Sequence, residues 1–312
     1  MDDLDSLRLT ISEFEGRFNS RANYPYIIVN NEDFDEHFIS TVESLTRAPV
    51  FFGRVPRQHW SMPDHINRTA AEEAWEAAVK ARMMYGGSEN YRHMCRYFSG
   101  FFMDHPLLLG FDYYWRLDTD VSYTCLMDDD PFQTMVDLNK TYGWNLLMKD
   151  GPATIKTLWP TTVDFIYSQP EKLSQRSCIR AMVPDYNMAE ADRNTALQTT
   201  YDTCHFWSNF EIGRLSFFRG EAYRAYFEHL DKAGGFFMER WGDAPVHTLA
   251  VALLLQPEDV HFFREIGYVH TGIQHCPADE ESQKKCRCDP EDDWAGRTRG
   301  HCYSRFRRCF FK

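Results

Sequence analysis

The sequence lacks most of the features that would place a protein at a glance. No stretch approaches the roughly 18–20 apolar residues of a membrane-spanning helix. The best run, Leu249–Leu255, is far shorter and follows a proline at a helix start. The chain opens Met-Asp-Asp, so no basic segment leads into an apolar one and a signal peptide is not read here. No G-x-G-x-x-G loop follows the first strand-like run, which disfavours dinucleotide binding of the dehydrogenase kind. The cysteines include a C-x-C but no C-x-x-C, so zinc-ribbon chemistry has no foothold. Positive charge is in deficit: 34 Lys and Arg face 46 Asp and Glu, for a net charge of −12. Such a chain repels a phosphate backbone, and no nucleic-acid partner is expected. Internal repeats, low-complexity blocks and linker-like stretches are missing too.

What is present is length, core and aromatics. The 312 residues are 43% hydrophobic and 15% aromatic, enough for one large or two ordinary domains. Nine cysteines are present, and five of them fall at Cys276, Cys286, Cys288, Cys302 and Cys309. This clustering predicts disulfides. With the sequons Asn67-Arg-Thr69 and Asn139-Lys-Thr141, it points to an oxidising, secretory compartment. A lumenal protein normally arrives through a signal or anchor. The chain therefore reads as a trimmed lumenal part, or as one whose start is incomplete.

The run Tyr26–Asn31 predicts a buried strand, and Val50–Phe52 a second one. Between them, Asp33-x-x-Glu36 predicts a capping box for a helix carrying Phe34, Phe38, Val42 and Leu45 on one face. This β-α-β opening implies an α/β sheet. Thr69-Ala-Ala-Glu72 predicts a helix start, with the helix running to about Tyr85. Ser88 starts another, whose Tyr91, Met94, Cys95, Phe98, Phe101 and Phe102 make a core-facing stripe. Phe111–Leu117 predicts a strand, Asp128–Pro131 a turn into a helix, and Pro184–Thr199 a surface loop. Gly220–Lys232 predicts a helix closed by Gly234-Gly235. Asp243 is placed as the N-cap of a further helix, with Pro245 in its first turn.

Two patches carry chemistry. Tyr113–Asp120 is an aromatic strand running into Asp118-Thr-Asp120. Residues i and i+2 of a strand share a face, so both carboxylates reach one site. Hard oxygens of this kind suit Mn²⁺ or Mg²⁺ on a diphosphate. His270 follows another apolar segment and offers an imidazole to the same metal, with His275 as a rival. In Tyr201–His247, Glu211 lies among aromatics, where desolvation raises a carboxyl unless a cation or donors compensate. Such an acid serves as nucleophile or stabiliser at an oxocarbenium-like centre. The plainer alternative pairs Glu211 with an arginine such as Arg214. Asp243, besides capping, can accept a sugar hydroxyl or its proton.

The runs HFWSNFEI, FF-x-ERWGDAPVH, YGGSENYRHMCR and SGFF-x-x-HPLL closely resemble the fungal Golgi α-1,2-mannosyltransferases, glycosyltransferase family 15. The resemblance covers about Phe14 to Cys288. It implies a GT-A-like, Rossmann-type α/β domain with a mixed sheet flanked by helices. Residues 1–275 would be the catalytic domain, and 276–312 a Cys-rich segment packed on it. It implies retaining, Mn²⁺-dependent transfer of mannose from a GDP-mannose donor to a mannosyl glycan acceptor in N- or O-linked glycans or mannan. A Golgi lumen location and relatives with a type II membrane anchor go with it. Carried over by motif, Glu211, Asp243 and Tyr91 are catalytic, and Asp118 and His270 hold the metal. Tyr26, Asn30 and Asp120 bind the donor; Trp207 and Asn209 bind the acceptor.

The sequence departs from the family pattern in places. Asp118-Thr-Asp120 replaces Glu-Pro-Asp, and Tyr201-Asp-Thr-Cys204 replaces Tyr-Asn-Leu-Cys. The Pro184–Thr199 loop looks long, and the basic end Arg305–Lys312 has no matched counterpart. The altered Asp-Thr-Asp keeps open a non-catalytic mannan-binding relative with the same fold. A metal-dependent glycan hydrolase using Glu211 and Asp243 is the third alternative.

Overall fold

A computed structural model describes residues 3–297 and 302–310. The expected α/β architecture is present, with its strands grouped in four sheets. β1 (Tyr26–Asn30) and β2 (Val50–Arg54) pair in parallel through the helix Glu36–Glu43, as the β-α-β opening predicts. Of β1, only Tyr26 is buried; the other four residues are half-buried because β1 walls a cavity rather than the core.

The central sheet has the order β3-β8-β5-β9, from β3 (Tyr113–Trp115), β5 (Tyr142–Trp144), β8 (Glu211–Arg214) and β9 (Val260–Phe262). It is mixed: β8 runs antiparallel to β3 and β5, while β9 is parallel to β5. Beside it, β4 (Val121–Tyr123), β10 (Tyr268–His270) and β11 (Ile273–His275) form an antiparallel sheet of order β11-β10-β4. β6 (Leu147–Lys149) and β7 (Cys204–Phe206) make a hairpin-like pair. The larger core cluster lies between the central sheet and the helices Glu89–Gly100, Leu158–Ser168, Glu221–Ala233 and Asp243–Leu254. A second cluster, rich in Phe14, Phe18, Trp115, Tyr123 and Phe210, packs beneath the helix Asp3–Phe14.

Helix starts follow side-chain caps, but not always the expected ones. Asp35, not an Asp33–Glu36 box, caps the helix Glu36–Glu43 by accepting from the Phe38 N–H; Asp33 instead pairs with Arg54. Asn67, not Thr69, caps Arg68–Lys80, which ends five residues before Tyr85. In both cases the residue that leaves helical backbone angles is the one whose oxygen reaches the free N–H groups. Ser88 and Asp130 cap their helices as expected. Gly234, at φ +78°, closes Glu221–Ala233. The 184–199 stretch is more than a surface loop: Tyr186 and Ala196 are buried, and Arg193–Ala196 is a short helix.

Four disulfides join Cys125–Cys286, Cys178–Cys309, Cys204–Cys302 and Cys276–Cys288; Cys95 is free and buried. Two of them hold the helix Cys302–Phe310, which drops Phe306 and Phe310 onto Phe206 in the main core. Among the described residues, no helix is long and apolar enough to cross a membrane.

Candidate active site

Strand alternation sets the site. On β3 and its continuation, Tyr114, Arg116 and Asp118 follow one another at i, i+2 spacing, and Trp115 turns the other way into the second aromatic cluster. β8 lies alongside, and the Arg116 N–H donates to the Glu211 carbonyl at 2.9 Å. In register, Gly213 stands between Tyr114 of β3 and Tyr142 of β5. With no side chain there, both rings lean diagonally toward Glu211. The Tyr114 hydroxyl donates to Glu211 Oε1 at 2.6 Å, and the Tyr142 hydroxyl to Oε2 at 2.9 Å. His247 Nδ1 lies 2.9 Å from Oε2 as well. Glu211 is fully buried, and its basic partner is the His247 imidazole rather than Arg214, which turns to Tyr113 and Asn139. Burial pushes the His247 imidazole down, but Glu211 and Asp243 raise it further, so the net shift is upward.

Arg116 is the second centre. Its guanidinium lies 4.2 Å over the Phe98 ring, Nε donates to Asp118 at 2.9 Å and Nη1 to Asp243 at 2.5 Å. The Ser208 hydroxyl also donates to Asp243. Asp243 is not the N-cap. Gly242 is, and Asp243, as the first residue of the helix Asp243–Leu254, is freed to face Arg116. Burial raises the Asp243 carboxyl, and Arg116, His247 and Ser208 outweigh it, leaving it below the usual range.

The third group lies at the edge of the small sheet. β4 and β10 pair so that His270 faces Val121, next to Asp120. His270 Nδ1 lies 3.3 Å from Asp120 Oδ1 without making a hydrogen bond, and the Trp207 ring stands edge-on to the imidazole at 4.7 Å. A buried imidazole nitrogen without a partner, next to carboxylates at a strand end, fits a divalent cation. The rival His275 is bound instead to Asp293 and the Arg264 carbonyl.

A cavity of about 730 Å³ connects these groups. Tyr26, Asn30, Tyr114, Arg116, Asp118 and Asp120 line it, beside Phe98 and the apolar Phe34 and Phe38. Glu211, Asp243, Trp207, Asn209 and His270 are not among the lining residues. Glu211 and Asp243 connect to the cavity through Tyr114 and Arg116. Tyr91 lies apart from the cavity, stacked on Tyr85 at 4.3 Å beneath Arg240. Asn209 is buried, and its side-chain oxygen has no partner. Sequence reasoning passed over Arg116, Tyr114, Tyr142, His247 and Ser208. A faint signal existed for Arg116, an arginine lying between an aromatic strand and two acids.

Fold and site together define an α/β protein whose strand ends present acids and an imidazole beside a deep ligand cavity. The chain belongs to the glycolipid 2-alpha-mannosyltransferase family, whose profile matches residues 1–309. The match extends past Phe14–Cys288 at both ends and takes in part of the basic terminus. Glycolipid 2-alpha-mannosyltransferase 1 of Candida albicans is 45% identical over 95% of the chain, which spans 66% of that relative's length. The crystal structure of core-mannan synthase A (CmsA/Ktr4) from Aspergillus fumigatus, in a Mn/GDP form, superposes with a TM-score of 0.90. It is 39% identical, and the match covers 99% of this chain and 82% of that one. The mannosyltransferase Ktr4p of S. cerevisiae in complex with GDP superposes at 0.91, with 35% identity over 99% and 79% of the two chains.

Proposed function

We propose that the chain is a retaining α-1,2-mannosyltransferase acting in the Golgi lumen. It moves mannose from GDP-mannose, with Mn²⁺, to a mannosyl acceptor of N- or O-linked glycans or mannan. The observation that carries this reading is one continuous arrangement. The cavity rimmed by Asp118 and Asp120 leads through Tyr114 to a buried carboxylate held by three hydrogen-bonding groups. The Mn/GDP and GDP forms of two relatives support a nucleotide-sugar donor and a divalent metal.

The roles follow from chemistry. Tyr26 and Asn30 flank the donor on the β1 wall. Asp118 and His270, with Asp120 Oδ1 3.3 Å from His270 Nδ1, would hold the metal, which when bound neutralises charge on the diphosphate. Arg116 keeps Asp118 and Asp243 oriented and Asp243 ionised. Asp243 would accept a hydrogen bond from the acceptor's hydroxyl, reached through Arg116 at the cavity wall. Glu211 stabilises positive charge at the anomeric carbon. Because its carboxylate is already engaged by two tyrosines and an imidazole, the stabiliser role suits it better than that of a free nucleophile.

The test is incubation with GDP-mannose, α-methyl mannoside and Mn²⁺, with the product resolved by linkage-specific α-mannosidase. An α-1,2-linked disaccharide is expected. Its absence where an active relative produces it overturns the proposal. GDP binding indifferent to Mn²⁺, without turnover, marks the non-catalytic relative, and free mannose released without a nucleotide donor marks the hydrolase.

A further inference from the structure

His247 is as deeply buried as Glu211, with no exposed side-chain surface on either. Its two ring nitrogens face different partners. Nε2 lies 3.0 Å from the Phe98 carbonyl, and Nδ1 lies 2.9 Å from Glu211 Oε2. A carbonyl only accepts, so Nε2 carries a hydrogen. The remaining choice is where the second proton sits. Either Nδ1–H donates to a carboxylate, or a carboxylic acid donates to a bare Nδ1. Two tyrosine hydroxyls also converge on Glu211, and three donors on one carboxyl favour its charged form.

The groups around the pair reinforce this. Asp243, one turn earlier on the same helix, adds negative charge on the His247 side. Arg116, past β3, adds positive charge on the Glu211 side. Tyr114 and Tyr142 approach from β3 and β5, and Tyr223 from the helix Glu221–Ala233, as neutral phenols raised by burial. Phe102 and Phe218 complete the imidazole's surroundings with rings that hold no proton.

We propose that His247 is an imidazolium at neutral pH and the positioning residue that keeps Glu211 ionised and oriented behind the cavity wall. The inference rests on the mannosyl-transfer reading for its kinetic consequence, but not for its spectroscopic one. Without a cation beside it, a carboxylate at this depth is penalised, because burial disfavours the charged form. His247 need not touch either sugar to control the reaction. It acts through the charge state of the one acid nearest Tyr114.

The test combines NMR and kinetics on the whole chain. In ¹⁵N-histidine-labelled protein at pH 7.5, one histidine is expected to show both ring nitrogens protonated, and to disappear from that class in Glu211→Gln. A neutral imidazole at His247 in the wild type overturns the proposal. In His247→Asn, kcat is expected to rise with pH between 6 and 8. The dissociation constant for GDP with Mn²⁺ should stay unchanged. A wild-type pH profile in a folded His247→Asn also overturns the proposal. If that variant does not fold, the Glu211→Gln spectrum decides alone. If the wild type transfers no mannose, the functional reading fails while the NMR result still judges the charge pair.

Discussion

A single arginine organises the candidate site at the residue scale. Arg116 ties Asp118 to Asp243 and stacks on Phe98. Arg116→Met would leave Asp243 buried without its cation, at a cost of about 3–5 kcal/mol. Urea unfolding should show this loss, together with the loss of transferase activity. Asp118→Glu tests the departure from the family's acid: Mn²⁺-dependent GDP binding by calorimetry should be retained or tightened, whereas Asp118→Ala should abolish the metal dependence. Two pKa shifts predict how stability varies with pH. The Asp243 carboxyl lies below its ordinary 3.8, so its contribution is complete above that value and is lost as pH falls through the folded value. The His247 imidazole lies above its ordinary 6.5, so its contribution is complete below 6.5 and is lost as pH rises through the folded value. Thermal melts should therefore peak between these limits.

At the scale of elements, β8 explains why the site forms. Gly213 lets Tyr114 and Tyr142 cross over it to Glu211, and a Cβ there would come within 2.6 Å of the Tyr114 ring and 2.7 Å of Phe218. Gly213→Ala should therefore displace Tyr114 and lower kcat more than Tm, measured by initial rates and by melting. Helices and strands were legible in the sequence wherever a periodic apolar face met a strong cap, as at Ser88 and Asp130. Reading failed at Asp243 and Thr69, where a residue just upstream, Gly242 or Asn67, can cap as well. Only the backbone angle of the residue before the first turn decides among them, and at Gly242 that angle frees Asp243 for Arg116. His247 was invisible for another reason. Alone, a histidine on an apolar helix looks like core, and only the packing of that helix against β8 brings it to a carboxylate.

The whole molecule is held by crosslinks at its C-terminal side. One place where the sequence leaves its family pattern is tied down there: Asp202, in the Tyr201–Cys204 run, pairs with Arg305 beside the Cys204–Cys302 disulfide. Both lie far from the cavity lining, so this departure concerns anchoring of the last helix. Replacing Cys302 and Cys309 by serine should cost roughly 2–4 kcal/mol per bond removed. It should lower Tm while leaving GDP affinity nearly unchanged, as checked by calorimetry. The disulfides themselves were legible because clustered cysteines without C-x-x-C leave few other uses. Their partners were not, since separations of 98, 131 and 161 residues are closed only by the fold.

By itself, the sequence determined the α/β class, the disulfide chemistry, the family, and which short runs hold the acids and the histidine. These depend on local composition and on motifs that a chain carries wherever it folds. Tertiary structure alone decided which of those groups meet. Strand register put two tyrosines on Glu211, helix packing added His247, the turn into a helix put Asp243 on Arg116, and β4–β10 pairing put His270 beside Asp120. Charge states follow from those meetings, because burial and a partner within hydrogen-bond distance set a proton's energy, and neither is written in the order of residues.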